Sequence, residues 1–249
     1  MLTTPKYFKP PRRYEEIDIS VEDTKPYLTG KLLLDDNTEL DLKLMVDSGA
    51  SHGLMLLENS DDQLTLPRKN IRCNLGRGLA GELHGKVGRL KSFSIGKRKW
   101  ENILATFPEE TSLLDSLKGT SVFRNGSLGG GILSRFKVIY NYSAEKMYFK
   151  KGRGIYKDFN FNLSGLSLKA KGSRLRTYEV VEVREGSNAH RAEVKRGDII
   201  MSVNGLAAEG LSLEEVIGIL NQKEKKRIRL ELRRGDEKIV AKFKLESQV

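Results

Sequence analysis

The 249-residue sequence predicts a mainly β protein of two domains. Three observations carry that expectation. Short apolar runs recur with period two, and most are bounded by Gly, Asn or Asp. Helical spacing is confined to Glu109–Lys118 and Leu211–Asn221. The character of the chain changes at the basic, Gly-containing stretch Lys151–Gly154. Many short strands with glycine turns and little helix imply a β-barrel or sandwich in the first part. The expected division is a leader with an N-terminal strand over 1–24, a first domain over 25–150, a linker over 151–158 and a second domain over 159–246.

Pro5, Pro10 and Pro11 exclude a helix at the start, and Tyr14–Val21 alternates like a strand. Tyr27–Leu34 and Glu39–Val46 form a hairpin about Asp35-Asp36-Asn37. Leu40, Leu42, Leu44 and Val46 share one face, so the return strand has an inside. Leu54–Leu57 continues the apolar chain, and Glu58–Asp62 is a polar loop. Ile71–Leu75 is a short strand running into a glycine-rich stretch, Gly76–Gly88. Leu90–Ile95 and Ile103–Phe107 are further strands. Asn125–Gly131 is again glycine-rich, and Val138–Tyr142 with Lys146–Lys150 makes a closing hairpin.

In the second domain, strands are expected within Phe161–Leu168, over Tyr178–Val183 and over Gly197–Val203, the last ending in an Asn204-Gly205 turn. Leu211–Asn221 is an amphipathic helix with Ser212 as N-cap, Glu215 completing a capping box, and Leu213, Val216, Ile217 and Leu220 as its apolar face. Ile228–Leu232 and Ile239–Phe243 form a hairpin about Gly235-Asp236.

The net charge of +11 raises nucleic acid as a partner. Much of the excess lies in Lys223–Arg227 and Arg233-Arg234, where acidic residues interleave and stacking aromatics are absent. A solvated basic face is therefore expected rather than a nucleic-acid site. No apolar run is long enough to span a bilayer, and no h-region of a signal peptide follows Met1. Cys73 is the single cysteine, which excludes an internal disulfide.

The chemistry concentrates in Leu42–Ala50, an apolar strand running into Asp47-Ser48-Gly49-Ala50. Such a strand anchors a carboxylate at its end, Gly49 permits a sharp reversal, and the Ser48 hydroxyl can brace the turn. Acid–base hydrolysis of this type needs two carboxylates sharing one proton. The sequence holds one Asp-Ser/Thr-Gly, so a second copy must come from a dimer partner or another lobe. Two competing motifs lack their context. Gly49–Gly53 fits G-x-S-x-G, but that fold needs alternating strands and helices where this half shows strands, and the later histidines are His84 in the Gly76–Gly88 stretch and His190 in the second domain. Gly76–Gly81 fits G-x-G-x-x-G, but the segment after it is too glycine-rich to open a helix. His52, His84, His190 and Cys73 lack metal-ligand spacing. His52, five residues past Asp47, is placed to line the cleft.

Residues 15–150 resemble a retropepsin-like aspartic peptidase, an acid-protease-like β-barrel. The matching pieces are Met45–Ala50, the glycines Gly76, Gly78, Gly81 and Gly85, and Asn125–Gly129 leading into Leu133–Tyr142. The resemblance implies that Asp47 is catalytic, that Gly76, Gly78 and Gly81 belong to a flap over the substrate, and that Ser127, Leu128 and Gly129 form the apolar-Gly loop beside the catalytic strand. Ser127 departs from the usual aliphatic residue, and Ser48 stands where Thr is more frequent. Residues 155–246 resemble a PDZ domain through Gly197–Gly205, with Ser164, Gly165 and Leu166 where the carboxylate-binding loop would be. The implied function is peptide-bond hydrolysis without metal or organic cofactor. The implied partners are a peptide or protein substrate, a homodimer mate or missing N-terminal lobe, and a ligand C-terminus on the PDZ domain; nucleic acid is not among them. The alternative is an inactive lobe acting as a peptide-binding scaffold. The order peptidase then PDZ implies a bacterial envelope, periplasmic or secreted setting, and the Pro-rich start suits a C-terminal piece of a longer protein.

Overall fold

The computed structural model describes residues 8–78, 81–109 and 122–249. The chain divides into two compact units, the first running to Phe159 and the second from Asn160 to Gln248. The helix expected over Glu109–Lys118 lies, from residue 110 on, outside the described residues.

In the first unit, β1 (Glu15–Asp18), β2 (Ser20–Glu22), β3 (Lys25–Leu33), β4 (Glu39–Asp47) and β5 (Leu54–Leu56) come in sequence. The long pair β6 (Asn70–Gly78) and β7 (Gly81–Ile95) follows, then β8 (Arg98–Pro108), β9 (Gly126–Gly129), the one-turn helix α1 (Gly130–Leu133), β10 (Phe136–Asn141) and β11 (Lys146–Lys151). Pairing runs β3-β4-β9-β5-β8-β7 and returns from β7 to β3 through Lys31 opposite Ser94. The sheet therefore closes on itself as a barrel, which removes the free edges of its six strands. Its interior is set by alternation. Leu40, Leu42, Leu44 and Val46 are buried on β4 and pack with Phe93, Ile103, Phe107 and Leu128. Fully burying each such side chain contributes on the order of 1.5–3 kcal/mol.

Within the stretch expected as a leader with an N-terminal strand, the chain forms β1 and β2. β1 pairs with β11 and β2 with β3. The segment after β11 also belongs to this unit. Arg135 is 8% exposed and donates to the backbone carbonyls of Gly131, Lys157 and Asp158, with its guanidinium 3.6 Å from the Phe159 ring centroid. Burial holds its pKa below the usual arginine value, partly offset by Asp158.

The second unit contains β12 (Leu166–Lys171), β13 (Thr177–Val183), α2 (Asn188–Arg191), β14 (Ile199–Val203), β15 (Leu206–Ala207), α3 (Leu213–Leu220), β16 (Arg227–Arg234) and β17 (Glu237–Lys244). Its sheet runs β12-β13-β14-β16-β17, with β15 on β14. Asp198 is fully buried and accepts two bonds from the Arg234 guanidinium, at 2.7 and 2.8 Å. The capping box of α3 forms in both directions between Ser212 and Glu215. The expected apolar face needs one correction: Val216 and Leu220 are buried, but Ile217 is 40% exposed. An eight-residue helix on a sheet covers a stripe narrower than the four positions its spacing suggested. The strand expected before Leu166 does not form either. The Leu163 amide donates to Asn221 Oδ1 and its carbonyl accepts from Glu246, so its polar groups are spent outside a ladder. No helix among the described residues is long and apolar enough to cross a membrane.

Candidate active site

β4 ends at Asp47, which stands opposite Gly129 in a parallel ladder with β9. On its other side β9 runs antiparallel to β5, with Leu128 opposite Leu54. The strand from residue 126 thus threads between the two strands that flank the Asp47 turn. Three further backbone bonds sew the turn down: Gly129 N–H to Gly53 at 2.9 Å, Gly130 N–H to Ala50 at 2.7 Å and Gly131 N–H to His52 at 2.9 Å. Asn125, 4% exposed, fixes the register by accepting from the Lys43 amide at 2.8 Å. The close approach explains the glycines of this segment. A Cβ on Gly129 would lie 2.2 Å from the His52 carbonyl oxygen, and one on Gly126 would lie 2.0 Å from that of Met55. Ser127, Leu128 and Gly129 of the expected apolar-Gly loop lie on β9, and Gly130 opens α1.

The Asp47 carboxylate is half-buried, and its Oδ1 accepts the Gly49 N–H at 3.0 Å. The brace expected from Ser48 is thus made by Asp47 itself, and Ser48 points to solvent. Gly49 is not among the residues at positive φ, so the turn does not draw on its conformational freedom. Ala50 N–H donates to the Asp47 carbonyl at 3.3 Å and closes the turn.

Ser127 is 1% exposed, and its Oγ lies 2.8 Å from His52 Nε2. This is the physical content of the departure from an aliphatic residue: a buried hydroxyl ties the threading strand to the loop that carries Asp47. Burial pushes the His52 pKa below the ordinary imidazole value, and the Asp47 charge opposes that shift. Tyr140 on β10 also senses Asp47. Burial first, then Tyr142 and the Asp47 charge, hold its phenol above the usual range. Its ring stacks on Tyr142 with centroids 5.8 Å apart. Sequence reading placed His52 near the cleft but missed its bond to Ser127 and the role of Tyr140. The alternation of Phe136, Val138 and Tyr140, which pack against the core, was the available signal for the latter.

The flap candidate is the hairpin of β6 and β7. Gly78 pairs with Gly81 near its tip, and residues 79 and 80 there lie outside the described residues. Gly76 and Gly81 have φ of +123° and +129°, a region that favours glycine. A bulge sits between Asn74 and Gly76, where Asn74 Oδ1 accepts the Gly76 amide at 2.8 Å.

In the second unit, Ser164, Gly165 and Leu166 are buried beside the start of the edge strand β12. Gly165 has φ +77°, its amide donates to Asn162, and its carbonyl accepts from Arg184 at 2.8 Å. The Leu166 amide donates to Ser164 Oγ at 3.3 Å. The loop closes on its own side chains, so the amides of Gly165 and Leu166 are already engaged.

Comparison with known proteins gives one family model, that of the PDZ domain, which matches residues 179–234. A search of the curated proteins finds no match. Solved structures similar to this chain include a photosystem II D1 C-terminal processing protease, 24% identical over 34% of this chain and 23% of that chain, with a TM-score of 0.31. This chain therefore spans about a quarter of that protein's length. A retropepsin-like aspartic protease from Rickettsia conorii is 20% identical over 55% of this chain and 90% of that one, with a TM-score of 0.35. The HtrA-type protease AlgW with decapeptide is 12% identical over 94% of this chain and 79% of that one, with a TM-score of 0.34. All three likenesses are weak in identity and superposition. The protein is mainly β, a closed barrel in its first unit, and its second unit carries a PDZ domain.

Proposed function

We propose that this chain is an aspartic endopeptidase in which Asp47 is the catalytic carboxylate and a second copy of the turn completes the site. The observation that carries the reading is the threading of β9 between β4 and β5. It holds an exposed Asp-Ser-Gly turn rigidly at the end of a closed barrel. Two such carboxylates face to face share one proton, because both cannot ionise at close range. The ionised one takes a proton from a water held between them. The protonated one polarises the scissile carbonyl. The β6–β7 hairpin is the element that would cover the substrate and exclude bulk water. The PDZ unit would hold a peptide by adding it to the edge of β12, main chain against main chain.

The test is Asp47→Asn in the full chain, assayed on denatured protein substrates, with circular dichroism and sedimentation equilibrium alongside. Cleavage should fall by about 10²–10⁴-fold or more with fold and mass unchanged, the range for removal of a general acid or base. Equal cleavage by the variant sinks the reading. A monomer that binds peptides without cutting them assigns the chain to peptide binding instead.

A further inference from the structure

The outward face of the β16–β17 ladder is strongly basic, and it stands apart from the Asp47 chemistry. Directly opposed residues of an antiparallel pair share a face. On this one Arg227 stands opposite Lys244, Arg229 opposite Lys242, Glu231 opposite Val240, and Arg233 opposite Lys238. Five of the six cations are exposed and Arg229 is half-buried. Like charges directly opposite one another destabilise a sheet, and here the arrangement occurs three times in one hairpin. The single carboxylate of the face, Glu231, lies 2.6 Å from Arg229 and accepts from Ser202 at 2.8 Å. It neutralises one cation and leaves the other two pairs opposed.

Part of this pattern has a bland explanation. β17 is an edge strand, and lysines on an edge discourage pairing with another chain. That accounts for Lys238, Lys242 and Lys244. It does not account for three arginines on β16, which is paired on both sides. A cavity of about 420 Å³ opens at one end of the face, lined by Arg227, Arg229, Lys242 and Lys244 together with the apolar Ile228 and Phe243.

We propose that this face docks an acidic polypeptide segment in extended conformation, with one anionic side chain seated in the cavity. Alternate residues of an extended chain recur about every 6.8 Å, the same interval as the successive cation pairs of the ladder. Two carboxylates separated by one residue would therefore meet the pairs at Arg227 and Arg229, and a third carboxylate four residues further on would meet the pair at Arg233, past Glu231; arginine forks bind carboxylates in two-point fashion. A single-stranded nucleic acid fits less well, because Phe243 at the cavity is buried and the face carries no exposed aromatic side chain on which bases could stack. A bilayer fits less well too, since Val240 is the one apolar side chain on the face.

The experiment measures binding of a labelled peptide of alternating Glu and Ser to the full chain by fluorescence anisotropy, with its Gln counterpart in parallel. The double variant Arg227→Glu with Lys242→Glu is compared with an equal charge change elsewhere, Arg68→Glu with Lys69→Glu. The expected result has three parts. The Glu peptide binds and the Gln peptide does not. The ladder variant loses at least about tenfold in affinity, roughly 1.4 kcal/mol, while the control variant loses far less. The ladder variant melts no lower than the parent, because each reversal turns an opposed pair into an attractive one. If it does not fold, Lys244→Gln serves in its place and must weaken binding. Equal loss in the control, equal binding of the Gln peptide, or tighter binding of oligothymidine or anionic phosphatidylserine vesicles through the same residues overturns the proposal.

Discussion

The Asp47 turn and the Ser164–Leu166 loop were both singled out from a small residue beside a glycine, and they are built in opposite ways. The Asp47 turn is held from outside, by backbone bonds from residues 129–131, some eighty positions further along the chain. Asp47 spends one carboxylate oxygen, Oδ1, on the Gly49 amide, and the distant strand holds the rest of the turn. The Ser164–Leu166 loop is held from inside, by Asn162 and Ser164 themselves. Its amides are satisfied before any ligand arrives. Where distant backbone does most of the holding, fewer of a motif's own polar groups are consumed by local structure.

The sharpest way to break that contrast is Gly129→Ala. A Cβ there meets a backbone oxygen at 2.2 Å, which no rotamer change can relieve. The expected cost is about 3 kcal/mol, the upper range for overpacking. Hydrogen exchange should show lost protection in β4, β5 and β9, with the second unit unaffected. Protection equal to the parent would mean that the threading strand yields easily and does not position Asp47.

A smaller effect is expected from Ser127→Ala, which strips the partner from a buried imidazole and should cost about 1–3 kcal/mol. His52 also carries a pH signature, set by its burial. Burial holds the His52 pKa below 6.5, so between the two values the unfolded chain binds a proton that the folded one does not. Stability from this group is full above about 6.5 and declines as pH falls through it. Thermal melts of the parent and of His52→Gln at pH 7.5 and 5.5 should show a steeper acid loss in the parent. Parallel pH dependences would remove His52 from the account.

The smallest effect separates the loop from the turn. Asn162→Ala should cost about 1 kcal/mol through the bonds to Gly165 and Ser164. The Gly165 amide keeps its bond to the Asn162 backbone carbonyl at 3.1 Å, so affinity for peptides with a free C-terminal carboxylate should hold by isothermal titration calorimetry. A large fall in that affinity would show that the closed loop is itself the binding conformation.

Much of the fold was legible. Alternation on β4 marked its buried face, glycine and Asx turns marked the hairpins, and Ser212 with Glu215 marked the start of α3. These signals are local, since side chains two or four positions apart decide which face is wet. What escaped was long-range. The pairing of Asp47 with Gly129 joins segments through main-chain groups that every residue carries, so no periodicity announces it. Ser127 read as a departure because its partner, His52, is named only by the fold. Arg135 stood only as one member of the Leu133–Tyr142 segment, and its carbonyl partners at Gly154, Lys157 and Asp158 are named only by the fold. The sequence by itself determined which segments are strands, where they turn and which carboxylate stands at a strand end. The tertiary structure alone decided which strand threads beside that carboxylate, which amides remain for a ligand and which cations face each other across a ladder. The reason is that hydrogen bonds and charge pairs depend on distances between atoms far apart in the chain, and only the folded backbone sets those distances.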